Sequence, residues 1–63
     1  MFKEYDIVIN KKVLVDVPKG TMGTVLICYE DSDYYEVEFT NEKGDTLNVL
    51  TVSGNDLMAY DNY

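Results

Sequence analysis

Glu36 and Glu38 flank Val37 in an alternating run and are the side chains of this 63-residue chain with the plainest capacity for chemistry. Such a carboxylate pair could exchange protons if one member had its pKa raised in a cleft. The chain has no histidine to act as partner, and a domain of this size has little interior in which to bury a carboxylate. The pair therefore reads as the wet, negative face of a strand. Cys28 is the lone cysteine, set in an apolar run with no basic neighbour, and a buried thiol of that kind is inert. Glu30, Asp31 and Asp33 form an acidic tip that lacks the spaced ligands and closing Glu of a calcium loop, so it reads as a solvated turn. One cysteine and no histidine leave no Cys/His zinc set. The expectation is a chain with no catalytic residue, no metal site and no cofactor; it is not read as an enzyme.

Gly20 and Gly23, three apart and leading into Thr24 and Val25, could be taken for a phosphate cradle. A Gly-x-x-Gly pair is far weaker than a P-loop or dinucleotide fingerprint, and here it feeds a strand instead of a helix N-terminus. It is read as a backbone turn that delivers the chain into the sheet.

Six tyrosines and two phenylalanines are many for this length, and a small core cannot enclose them all. Tyr35 and Phe39 are assigned to the core, with Tyr5 or Phe2 covering one end. Tyr29, Tyr34, Tyr60 and Tyr63 are assigned to the surface, where tyrosine supplies large contact area at low entropy cost. Ile27 and Leu50, if outward, would add an apolar centre.

Twelve Asp and Glu oppose five Lys and no Arg, for a net charge of −7. Nucleic acids and anionic membranes both reward Lys and Arg, so both partners are disfavoured and a basic protein partner is favoured. A lone thiol suits a reducing compartment, the opening residues carry charge where a signal peptide needs an apolar stretch, and no run approaches the ~20 residues of a membrane span. The reading is a soluble, cytoplasmic protein.

The elements that must position these residues are strands. One domain spans residues 1–63, and periodicity predicts strands near 5–10, 23–29, 34–40, 45–52 and 57–60. The third is the clearest: Tyr35, Val37 and Phe39 alternate with Glu36 and Glu38. In the fourth, Leu47, Val49 and Thr51 alternate with Thr46, Asn48 and Leu50. Gly44 is placed for a positive φ in the hairpin loop before it. Residues 10–19, with Asp16 and Pro18 interrupting Val13, Leu14 and Val15, read as a long loop pinned by two or three apolar side chains. Ser53 or Asp56 could cap a turn before the last strand, with room for one 3₁₀ turn at most. Five short strands with hairpin turns suit a small barrel that hides its edges by closure, and the fold class assigned is all-β, a five-stranded SH3-like barrel.

The run Tyr5, Asp6, Ile7, Val8, Ile9, then Pro18, then Lys19-Gly20-x-x-Gly23-Thr24-Val25, then Tyr35 to Phe39, Leu50-Thr51-Val52 and Asp56-Leu57 resembles a bacterial family of small domains of unknown function. The glycine segment is also similar to the SH3-like barrels of KOW domains and of accessory subunits of electron-transfer and nitrile-hydrating enzymes, most of them binding modules. KOW-type barrels place basic residues around this turn. Here Lys19 stands alone among Asp16, Glu30, Asp31 and Asp33, so RNA binding does not carry over. The resemblance further implies a bulge in the second strand, with Val25 and Cys28 inward and Ile27 outward; strict alternation would instead bury Val25, Ile27 and Tyr29 and expose Cys28.

The function expected is a non-catalytic protein-interaction module whose face, carried by Tyr29, Tyr34, Glu36, Glu38 and Tyr60, docks on a basic protein. The alternative is an acidic inhibitor, of the antitoxin, immunity or anti-defence kind, that blocks the basic groove of a nucleic-acid-processing enzyme. An uncovered strand edge could also pair two copies as a homodimer.

Overall fold

In the computed structural model, which describes residues 1–60, every element but one is a strand. The strands are β1 (Ile7–Asn10), β2 (Met22–Cys28), β3 (Tyr34–Thr40), β4 (Thr46–Ser53) and β5 (Leu57–Ala59), with a 3₁₀ turn, Gly54–Asp56, between the last two. All pairings are antiparallel in one sheet of order β4-β3-β2-β1-β5. The architecture is all-β, with strands where alternation predicts them. The sheet is open: β4 and β5 are its edges, and among the described residues no ladder joins them. Closure by backbone pairing, expected of a barrel, is thus not made; the 3₁₀ turn links the two edge strands instead, its Asn55 N–H donating to Ser53 Oγ at 3.2 Å.

Packing follows the alternation. Val8, Val25, Tyr35, Val37, Phe39, Val52 and Leu57 are buried in one cluster to which every strand contributes. Val17, from the segment between β1 and β2, completes it. This segment is pinned by Leu14 and Val17, which exchange backbone hydrogen bonds of 2.9 and 3.0 Å around a reversal at Asp16, φ +59°. Val13 and Val15 point to solvent. Phe2, not Tyr5, covers the end of the core: its ring meets Tyr35 edge-on at 5.4 Å, and its N–H donates to the Tyr35 hydroxyl. Tyr5 is exposed at φ +70°, so the first strand begins at Ile7 and not at residue 5. Left-handed backbone ends an extended run, and a bulky residue enters it at a cost.

Two bulges set the remaining faces. In β2, Val25 pairs with Val37 and Ile27 with Glu36, leaving Leu26 as the extra residue. Val25 and Cys28 accordingly face the core while Ile27 is exposed, as the bulged alternative requires. The Cys28 thiol donates to the Phe2 carbonyl at 3.4 Å. Thiol labelling checks this placement: Cys28 should react at least tenfold more slowly in the folded protein than in denaturant, since the reagent must reach a half-buried sulfur. In β4 the alternation is opposite to the one expected. Asn48 pairs with Phe39 but Thr46 with Thr40, so Leu47 is the extra residue. Beyond it Leu50 and Val52 turn inward while Val49 and Thr51 turn outward. Leu50 therefore gives no apolar centre to the surface; Val49 does.

Candidate functional site

The two glycines of the turn have different tasks. Gly20 lies at φ +84°, a region that L side chains enter only with strain. Gly23 sits inside β2, where an added Cβ would stand 2.6 Å from Val37 Cγ1 and 2.9 Å from Phe39 Cδ1. Two amides of the turn are already engaged by Asn10. The Gly20 N–H donates to the Asn10 carbonyl at 3.0 Å and the Thr21 N–H to Asn10 Oδ1 at 2.7 Å. Beside the turn is an open concavity of about 470 Å³ lined by Pro18, Met22, Glu42 and Leu47 among others.

Asn10 is the residue that sequence reasoning passed over. Its side chain is 1% exposed, and Nδ2 donates to the Lys12 and Pro18 carbonyls, each at 2.8 Å. With Oδ1 on Thr21, one amide fastens both ends of residues 11–21. Asp56 adds a second hold, accepting the Lys11 N–H at its carbonyl at 2.7 Å and pairing with Lys12 Nζ at 3.3 Å. The ion pair is solvent-exposed and worth little; the backbone bond is the firmer tie.

The outer face of the sheet carries the residues proposed for binding. Directly paired residues point to the same side, so Ile27, Glu36 and Thr51 form one row across β2, β3 and β4. Ile7, Thr24, Glu38 and Val49 form the next. Both carboxylates are oriented by hydroxyl donors. Glu36 Oε1 accepts from Tyr29 Oη at 3.3 Å and from Thr51 Oγ1 at 2.7 Å, and Glu38 Oε2 accepts from Thr46 Oγ1. Glu36 Oε2 and Glu38 Oε1 take no hydrogen bond among the described residues, and both side chains are half-buried.

Tyr29 and Tyr34 close the end of the β2–β3 hairpin, the Tyr29 N–H donating to the Tyr34 carbonyl, and both rings are exposed. Tyr34 lies at the corner where this face meets a groove of about 300 Å³ lined by Lys12, Leu14, Val15, Leu50 and Asp56 among others. Tyr29, Tyr34 and Glu36 are thus brought together, with Glu38 ~7 Å beyond Glu36 on the same side of β3. Tyr60 is not beside them: its N–H donates to the Ile7 carbonyl at the β5 edge, three strand spacings from Glu38, about 14 Å. Tyr63 lies outside the described residues.

Sequence reasoning also left aside Met22 and Met58. They are 41% and 50% exposed and lie on one outward row with Ile9, to which both are paired. Met22 opens β2 and Met58 is the middle of the three-residue β5, positions with too little alternation around them for the outward side to be read. No lysine lies on the outward positions of the described strands. Among the described residues no group of three or more His, Cys, Asp or Glu is placed to hold a metal ion, and no helix is long and apolar enough to cross a membrane.

Residues 4–59 match the model of a family described as Domain of unknown function (DUF4926). No curated protein and no solved structure matches the chain.

Proposed function

We propose that this chain, which belongs to that family, is a non-catalytic protein-interaction module that docks the outer face of its sheet on a basic protein partner. The observation that carries the reading is the pair of oriented carboxylates. Hydroxyls of Tyr29, Thr51 and Thr46 occupy one oxygen of each and leave the other without a hydrogen bond among the described residues. Side chains held in advance lose less entropy on binding, and exposed Ile27 and Tyr34 beside them supply apolar contact. A face of one sign steers a basic partner and makes association salt-sensitive.

The test is a double charge reversal, Glu36→Lys with Glu38→Lys, in partner capture from the native host. Capture at low salt should fall at least tenfold, and the residual binding should lose its dependence on ionic strength. Unchanged capture removes the reading. A second reading, an acidic inhibitor that blocks a basic nucleic-acid groove, is supported by the same outward carboxylates and by the net charge of −7. It differs in one expected result: nucleic acid displaces the chain from its partner.

A further inference from the structure

We infer that the outer face along β1 and β2 seats an amphipathic helix of the partner, its apolar stripe on Met22, Ile27 and Met58 and two Lys or Arg, four residues apart, on Glu36 and Glu38. The inference rests on the proposed docking face and names what occupies it.

Shape and charge both point to this occupant. Met58, Ile9 and Met22 run side by side across β5, β1 and β2; Ile27 lies farther along β2, with Thr24 between it and Met22 on the same side and Ile7 of β1 beside Thr24. On the other flank stands β3 with its two carboxylates. A helix axis over the β1–β2 seam has β5 and β3 about 7 Å to either side, at strand spacings of ~4.8 Å. A helix of ~10–12 Å diameter covers that width. Glu36 and Glu38 are two residues apart on a strand, ~7 Å, and residues i and i+4 of a helix rise ~6 Å. One flank of the helix can therefore meet both carboxylates in register. The seven residues of β2 extend ~23 Å, the length of about 15 helical residues. Exposed methionines are flexible and adapt to the side chains of a docked helix. A second copy of this chain is a poor occupant, because each copy brings a charge of −7 and no lysine on this face.

The experiment titrates the full chain with three 15-residue peptides and follows its amide resonances. The first has a Leu stripe flanked by Lys at i and i+4, the second has Glu in place of Lys, and the third has the first composition in scrambled order. The first peptide should bind with shifts at Met22, Ile27, Glu36, Glu38 and Met58, and gain helicity on binding. Scrambling the order, or the substitutions Met22→Ser with Met58→Ser, should each weaken it at least tenfold, and the Glu peptide should not bind. Those methionines are exposed, so the variant is expected to fold, which circular dichroism checks. Equal binding of the scrambled peptide shows charge alone and overturns the helix, as do shifts confined to the groove beside residues 12–15, no binding at all, or a face already covered by self-association in light scattering. If charge reversal abolishes partner capture while these peptides fail, the helix falls and the docking face stands; unchanged capture removes both.

Discussion

Gly23→Ala should lower stability by about 2 kcal/mol, a large part of the ~3–5 kcal/mol that a core of this size supplies. In an open strand the same change is mildly favourable, by ~0.4–1 kcal/mol, because Ala has fewer unfolded conformations to lose. Here the sign is set by contact. The new Cβ would lie 2.6 Å from Val37 Cγ1 and 2.9 and 3.0 Å from two ring carbons of Phe39, and both residues are fully buried. Neither neighbour is a flexible tip that can swing into solvent. Relief requires β2 to move off β3, which disturbs the sheet's central ladder. Gly20→Ala is the control: nothing lies within 4 Å of its Cβ position, but φ is +84°, so the expected loss is about 1 kcal/mol from backbone strain alone. Urea denaturation compares the two. Adding Val37→Ala to Gly23→Ala should cost less than Val37→Ala does in the wild-type background, since it removes the atom in conflict. A Gly23→Ala protein as stable as the parent would show that the two strands are less closely packed than these distances require.

The contrast between the glycines shows where sequence reasoning holds and where it stops. Tyr35, Val37 and Phe39 were legible as core, and Glu36 and Glu38 as surface, because β3 has no bulge and each side chain's direction follows from its neighbour's. β4 was not legible in this way. Leu47 occupies an extra position opposite Phe39 and Thr40, and which residue takes that position is decided by pairing with another strand. From that point every side chain reverses its face, so Leu50 turns to the core and Val49 to the surface, the reverse of an unbroken alternation that begins with Leu47 inward. Tyr5 failed for a related reason. Its run of aromatic and β-branched residues has the composition of a strand, yet the chain reverses there, with Asp6 Oδ2 accepting the Lys3 N–H at 2.8 Å. That four of the five residues proposed for binding share one face was legible, since the β2–β3 hairpin sets them there by local geometry. Tyr60 was grouped with them by residue type alone, and the strand order separates it.

Asn10→Ala should cost about 2–4 kcal/mol, with the loss centred on residues 11–21. The parent side chain makes three hydrogen bonds, from Nδ2 to the Lys12 and Pro18 carbonyls and to Oδ1 from the Thr21 N–H. Removing it strands the Lys12 carbonyl and the Thr21 N–H, each costing ~1–3 kcal/mol if it stays dry, while the Pro18 carbonyl keeps the Thr21 hydroxyl as a donor at 2.6 Å; the segment is near enough to solvent for water to recover part of this. Amide exchange should report it first, as lost protection at Thr21 while the central strands keep theirs. Asn10→Asp is the sharper probe, because it retains the shape and the acceptor for Thr21 but turns the Nδ2 donor into an oxygen facing two carbonyls. Ionised, that group is repelled by both; protonated, it can donate to one. Burial and the facing carbonyls raise the folded-state pKa of the new carboxyl above its unfolded value of ~3.9. Its favourable contribution is therefore complete below that unfolded value and is lost as pH rises through the folded one. The stability gap between Asn10→Asp and the parent, measured by urea denaturation at each pH, should be narrow near pH 3 and wide at pH 7. A gap that does not change with pH would mean that the side chain at position 10 is open to water and does not fasten the segment.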